Sequence, residues 1–289
     1  EGLTPIDIVK FASAYGTWLR QRNGERKLMV VVGRDARRSG PMVSNLVVNT
    51  LRGLGIDVTD TGLATTPTVE LAVTGTGAAG GIIITASHNP AEWNALKLLN
   101  EKGEFLSAAD GSELLGIAES DDFEYARLDD FGSYVHDDSW GQIHIDQVLS
   151  LDLVDVEAIR SAGFRVAIDC VNSVGGVIVP GLLKALGVSK IIELNTTPDG
   201  HFAHNPEPLP QNLTDISAMV ARFKADAGFV VDPDVDRLAI ICEDGSMFGE
   251  EYTLVAVSDY ILKNNPGNTV SNLSSTRALK DVTEGHGGK

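Results

Sequence analysis

Apolar positions in this chain alternate between two spacings, and the alternation lays out its architecture. Ile8, Phe11, Ala12, Tyr15 and Leu19 recur three and four residues apart, which predicts a helix over Ile6 to Arg22, opened by a Thr4 cap and by Pro5. Lys27 to Val32 then runs apolar, as a strand covered on both faces does. Helix Pro41 to Leu54, strand Ile56 to Asp60, helix Pro67 to Thr76, strand Gly81 to Thr85 and helix Ala108 to Glu119 follow in turn. That order predicts a mostly parallel sheet with helices on both sides.

Between 120 and 140 the pattern lapses. Asp121, Asp122, Glu124, Asp129, Asp130, Asp137 and Asp138 are interspersed with aromatics at no clean period, and the segment reads as a connection. A second alternating run begins near Leu151: strand Phe164 to Asp169, helix Val174 to Leu186, strand Lys190 to Leu194, helix Leu213 to Lys224, strands Ala227 to Val231 and Leu238 to Cys242, and helix Glu250 to Lys263. It resembles a second copy of the first architecture, without a residue-level repeat. The expected fold class is therefore α/β, with two consecutive three-layer α/β/α domains of mixed, mostly parallel sheets over 1–135 and 136–265. The beginning of a third occupies 266–289, where strand Thr269 to Leu273 and helix Thr276 to Val282 are too little to bury an apolar face. The chain thus reads as a fragment of a longer protein, and the absence of methionine at Glu1 agrees.

Composition adds bounds. At 289 residues, 43% hydrophobic, the chain can build two cores. No apolar run approaches the ~20 residues that span a bilayer, and no signal-peptide pattern opens the chain. Cys170 and Cys242 each lie within a strand-like apolar run, which suits reduced, buried thiols and a cytoplasmic protein. The formal charge of −17 repels nucleic acid and anionic membranes, so neither is an expected partner. A small phosphorylated ligand remains compatible, because local cations or a bound divalent metal can reverse the field of one pocket.

Candidate chemistry sits in two short loops, each ending a buried strand. Asp232, Asp234 and Asp236 alternate, so an extended chain would turn them to one side but leave successive carboxylates roughly 6–7 Å apart, at a rise of ~3.3 Å per residue. They must converge by bending, which Pro233 favours. Three bare anions that close raise one another's pKa unless a hard cation such as magnesium sits among them. Taken alone, the trio leaves metal binding and a solvated acidic loop evenly open. An EF-hand is excluded, since Arg237 stands where that loop needs glycine and Leu238 to Cys242 reads as a strand.

In the other loop, Thr85 to Pro90, Ser87 adjoins His88. Neighbouring side chains on an extended segment diverge, and no Gly-x-Ser-x-Gly elbow surrounds the serine, so a hydrolase triad does not fit. A plain turn-forming role for Ser87 and Asn89 stays open on this loop alone.

Together the motifs say more. Thr85-Ala-Ser-His-Asn-Pro90 with Asn94 and Lys97, then Asp232-Pro-Asp-Val-Asp-Arg237 about a domain later, resembles the alpha-D-phosphohexomutase superfamily, which includes phosphoglucomutases, phosphomannomutases and phosphoglucosamine mutases. The Gly33 to Gly40 and His204 to Pro208 segments match as well, so the resemblance covers nearly the whole chain.

The resemblance implies an enzyme that moves a phosphoryl group between the C1 and C6 oxygens of a phosphorylated hexose, with glucosamine and mannose phosphate the expected sugars. By matching position, Ser87 carries the phosphoryl group and completes a Mg2+ site with Asp232, Asp234 and Asp236, and a hexose bisphosphate is the phosphorylating activator. Arg237 holds phosphate or steadies a carboxylate, with a structural salt bridge equally open. His88 and Lys97 are the candidates for proton traffic and phosphate contact; a lysine base needs a pKa lowered toward neutrality. The plainer alternatives are an exposed Lys97 and a His88 that supports the turn. Arg34, Arg37 and Arg38 are read as partners for nearby acids rather than an anion site. His204 to Pro208 reads as a rigid loop on the metal side.

Family members use four domains. The N-terminal strand with its arginine, and the third- and fourth-domain loops that read sugar hydroxyls and grip the distal phosphate, do not occur in these 289 residues. The piece itself is expected to be inactive, its partners being the remaining third and fourth domains of a parent chain. Two other classes stay open: an aspartate-based phosphatase, with Asp232 attacking phosphorus and Asp234 handling the proton, and a non-catalytic sugar-phosphate binding module.

Overall fold

A reciprocal capping box between Thr4 and Asp7 starts the first helix, α1 (Pro5–Asn23). The computed structural model describes residues 3–24, 26–273 and 275–289. After α1 come β1 (Met29–Arg34), α2 (Gly40–Gly53), β2 (Asp57–Leu63), α3 (Thr66–Thr76), β3 (Gly80–Ile84), β4 (Leu96–Leu99), α4 (Ala108–Ser120) and β5 (Tyr134–His136). Their sheet has the order β4-β3-β1-β2-β5, parallel except for the β3–β4 pair. Ile8, Trp18 and Leu51 pack on one face of it, and Val69, Val73 and Trp140 on the other. Each such buried aliphatic side chain stabilises by about 1.5–3 kcal/mol.

The rest of the chain forms α5 (Trp140–Leu149), α6 (Val156–Ala162), β6 (Arg165–Asp169), α7 (Gly175–Ala185), β7 (Lys190–Leu194), α8 (Thr214–Phe223), β8 (Ala227–Val231), β9 (Leu238–Ile241), α9 (Glu250–Asn264) and α10 (Ala278–Gly285). This second sheet has the order β7-β6-β8-β9, again with only its last pair antiparallel. Read from the other edge, β9-β8-β6-β7 is the arrangement of β4-β3-β1-β2. Between the two sheets, α5 packs on both α3 and α7.

A residue-level repeat is present after all. Leu99 bridges Phe105 beyond a turn closed by the Gly103 N–H donating to the Asn100 carbonyl; Ile241 bridges Met247 beyond one closed by the Gly245 N–H donating to the Cys242 carbonyl. Both glycines have positive φ, +73° and +87°, and press on a carbonyl of the preceding helix, Glu70 and Ser217, where a Cβ would lie 2.6 and 2.7 Å away. Glycine is the residue that fits such turns, and its matched use marks the two units as copies of one design.

The predicted elements appear with ends shifted by up to three residues, with five departures. β5 lies within the segment read as a connection; all three of its residues are exposed, so no hydrophobic pattern announced it. β4 contains Lys97, which breaks an apolar run, and α5 and α6 precede the first element expected of the second run. The expected strand Thr269 to Leu273 is not formed: Val270 and Leu273 are fully exposed with no neighbouring strand edge among the described residues, and a strand needs a ladder partner. No helix among the described residues is long and apolar enough to cross a membrane.

Candidate active site

Strand order reverses at β1 and β3 in the first sheet and at β6 and β8 in the second, and the carboxyl ends at such reversals are where open α/β sheets bind ligands. The serine loop follows β3. Ser87 sits in the left-handed region at φ 51°, its N–H donating to Thr85 Oγ1 at 2.9 Å, while Thr85 Oγ1 donates to Asp35 Oδ2 at 2.7 Å. Arg37, fully buried, fixes the rest. Its Nε donates to Asp35 Oδ2 at 2.9 Å, and its terminal nitrogens to the carbonyls of Ser87 (2.6 Å), Asn89 (2.7 Å), Trp93 (3.0 Å) and Pro90. Arg37 therefore organises the loop. Burial pushes the Asp35 carboxyl up to about 6, against the Arg37 charge that pulls it down.

The acidic loop follows β8. Asp232 Oδ1 accepts from the N–H groups of Asp236 and Arg237, both at 3.2 Å, and Val235 takes a positive φ of 60°, so the chain curls and the three carboxylates converge. Oxygens of Asp232, Asp234 and Asp236 lie within 4.8 Å of one another. Burial, then the charges of Asp234 and Asp236, push the Asp232 carboxyl up to about 8. From the other sheet, Ser87 Oγ donates to Asp232 Oδ2 at 3.2 Å, across 145 residues of chain.

Lys97, on β4, donates to Asp234 Oδ2 at 2.6 Å and to Asp236 Oδ2 at 2.8 Å. Burial favours its neutral form, but the two carboxylates outweigh it and the pKa is raised. This corrects the lowered pKa that a lysine base requires: with two anions in contact, Lys97 stays an ammonium. His88 is half-buried, its Nδ1 fully so and lacking a hydrogen bond among the described residues. Arg237 is exposed, and its guanidinium makes no ion pair among the described residues.

Residues without a sequence signal complete the joint between the units. Thr66, at the start of α3, donates through Oγ1 to Asp234 Oδ2 at 2.5 Å and through its N–H to the Asp234 carbonyl at 2.8 Å. Ser173 Oγ donates to the Pro233 carbonyl at 2.7 Å and accepts from the Ala36 N–H at 3.3 Å. Both pairs are too far apart in sequence for any local pattern to announce them. The His204 loop is tied to β6: Nε2 lies 3.1 Å from Asp169 Oδ2 and Nδ1 2.8 Å from the Asn205 carbonyl, and the protonated ring donates to both. Burial opposes the charge of His204, yet these acceptors raise its pKa on balance.

The donor set fits a hard divalent cation. All donors are oxygens, three carboxylates converge, and Asp234 Oδ1 is buried without a hydrogen bond among the described residues, a costly state for a carboxylate oxygen that a metal would relieve.

Two doubly wound α/β units facing each other across a serine and three carboxylates define a two-module protein with an oxygen-lined candidate site for a cation. Residues 1–125 match the model of phosphoglucomutase/phosphomannomutase alpha/beta/alpha domain I, and residues 142–245 that of domain II. The chain belongs to the phosphoglucomutase/phosphomannomutase family. It is 36% identical, over 100% of its length and 63% of the relative's, to a Thermococcus kodakarensis protein named phosphoglucomutase/phosphomannomutase. It is 32% identical, over 100% of its length and 62% of the relative's, to a Methanopyrus kandleri protein named "Probable phosphoglucosamine mutase". A crystal structure of a phosphoglucomutase/phosphomannomutase family protein from Burkholderia thailandensis superposes with a TM-score of 0.86 at 29% identity, over 99% of this chain and 62% of that one. The chain thus spans about three-fifths of the length of these relatives.

Proposed function

We propose that this chain carries the phosphoserine and metal half of a hexose-phosphate mutase, an intramolecular phosphotransferase that interconverts hexose 1- and 6-phosphates through a sugar bisphosphate. The observation that carries the reading is the 3.2 Å contact of Ser87 Oγ with Asp232, whose loop is built on the other sheet. Relatives named for glucose, mannose and glucosamine phosphates support the substrate class, glucosamine and mannose phosphate being the first sugars to test. Because the chain spans 63% and 62% of two such relatives, we assign sugar recognition and full turnover to a longer polypeptide with third and fourth domains.

Asp232, Asp234, Asp236 and an oxygen on Ser87 would hold Mg2+, which supplies positive charge to the phosphoryl oxygens as the bond to the leaving oxygen loosens. Ser87 presents its Oγ toward the cleft because the left-handed turn and the Arg37 contacts fix the backbone beneath it. A sugar hydroxyl oxygen bonds to phosphorus as the phosphorus–Oγ bond breaks; the hydroxyl proton must leave, and Oγ must regain one. His88, next to Ser87 in the same loop, is our choice for the proton acceptor, and Lys97, held charged, contacts phosphate. Arg237, exposed beside the last carboxylate, is free to do the same. The return step reverses these roles, and a hexose bisphosphate primes Ser87.

An aspartate-based phosphatase fits less well. It leaves Ser87, whose Oγ donates to Asp232 Oδ2 at 3.2 Å, without a purpose.

The test is intact mass and peptide mapping of the longer polypeptide, with its third and fourth domains, after incubation with hexose 1,6-bisphosphate and Mg2+. One acid-stable phosphate on Ser87, absent from Ser87→Ala, is expected. An acid-stable phosphate on another residue, or a labile acyl phosphate on Asp232, sinks the proposal.

A further inference from the structure

The acidic loop belongs to the second unit, yet its central carboxylate is oriented by the first. Asp234 is fully buried. Its Oδ2 accepts from Thr66 Oγ1 at 2.5 Å and from Lys97 at 2.6 Å, both on the first sheet's unit, while Oδ1 has no hydrogen bond among the described residues. The two oxygens are thereby distinguished: Oδ2 is committed to donors and Oδ1 is left as the acceptor for a cation. Thr66 is suited to fix that choice. It is buried, it opens the first turn of α3 where backbone N–H groups are free, and its own N–H donates to the Asp234 carbonyl at 2.8 Å. Side chain and backbone of one residue thus grip both ends of Asp234. Lys97 shares Oδ2 but reaches it on a flexible stem, partly exposed, and divides its charge with Asp236.

From this geometry we propose that Thr66 is a positioning residue for the divalent-cation site, turning Asp234 Oδ1 toward the bound metal and tying metal affinity to the docking of the two α/β units. The proposal rests on the metal reading of the acidic trio. Outer contacts that orient a ligating carboxylate typically change metal affinity by about 10–100-fold when removed. The link is reciprocal: whatever docking contributes to metal affinity, metal must contribute to docking.

The direct test is Mn2+ titration, followed by electron paramagnetic resonance, of the chain and of Thr66→Val and Thr66→Ser. Valine keeps the shape and the backbone donor but removes the hydroxyl; serine restores it. The expected result is affinity about 10–100-fold weaker in T66V, recovered to within about threefold in T66S. A purely structural role would lower the melting temperatures of both metal-free variants according to their packing, without this order of Mn2+ affinities. Equal Mn2+ affinity in T66V and the parent overturns the proposal while leaving the metal site intact. No Mn2+ binding by the parent overturns both. Should T66V not fold, amide exchange on the unaltered chain decides. Mn2+ should slow exchange at the first turn of α3, where the Thr66 N–H meets Asp234, and unchanged exchange there overturns the proposal.

Discussion

Replacing Arg37 by methionine should make the stability of this protein depend on pH in a range where the parent's Asp35 is silent. Arg37 is fully buried against Asp35 and donates to four carbonyls of the serine loop. Methionine fills much of the space but leaves the carboxylate alone. Removing one partner of a buried pair costs about 3–5 kcal/mol, a large part of the ~5–15 kcal/mol that holds a domain folded. The sign follows from the raised carboxyl. In the parent, Asp35 goes from an ordinary value of 3.8 to about 6. Its contribution to stability is thus complete below about 4, falls as pH rises, and is lost by the time pH has passed about 6. Without the guanidinium, the folded pKa moves higher still, and the loss continues at about 1.4 kcal/mol per pH unit from pH 6 to 8, some 3 kcal/mol in all. Asp232 titrates in the same range in both proteins, so the difference between parent and variant isolates Asp35. Urea melts followed by circular dichroism, in chelator and at constant ionic strength, measure it. A difference that stays flat between pH 6 and 8, or totals under about 1 kcal/mol, refutes the reasoning.

Three further outcomes are expected. Because a cation must displace the proton that Asp232 keeps up to about 8, Mg2+ affinity measured by calorimetry should rise about tenfold per pH unit from 6.5 to 8 and level off above; a flat profile would contradict the burial argument. Gly200 has φ +72°, and a Cβ there would lie 2.1 Å from the Ala36 carbonyl oxygen across the joint between the units, so Gly200→Ala should cost at least about 2 kcal/mol in a denaturant melt. For His204, raised by Asp169 against burial, the stabilising charge is present below about 6.5 and lost as pH climbs through the folded pKa. His204→Gln should accordingly lose more stability at pH 6 than at pH 9, and equal losses would show that the imidazole acts only by packing.

How much was legible beforehand depended on whether the signal was local. β7 and β8 begin and end where the apolar runs predict, because both are strands whose patterns stop at polar loops. β5 and β4 were hidden for opposite reasons: one has no buried residue at all, and the other pairs antiparallel on a sheet edge through a run that carries Lys97. Thr269 to Leu273 has the composition of a strand and forms none, since composition cannot supply a neighbouring edge. In the site, the bend of the acidic loop was readable from alternation and proline, although Val235 supplies part of it through its left-handed backbone. The charge state of Lys97 was not readable, as it is set by two carboxylates 137 and 139 residues away. Thr66 and Ser173 lie in segments whose composition says helix start and turn, and only folding reveals what their hydroxyls hold.

Ser87 occupies a conformation in which an L side chain costs roughly 1 kcal/mol and glycine almost nothing. Stability alone would therefore select the residue with no hydroxyl. Glycine in its place should yield a sturdier molecule without the hydroxyl proposed to carry phosphate, so at this position folding and the proposed chemistry pull in opposite directions. The tight grip of Arg37 on the surrounding carbonyls is what allows the chain to keep the less comfortable residue.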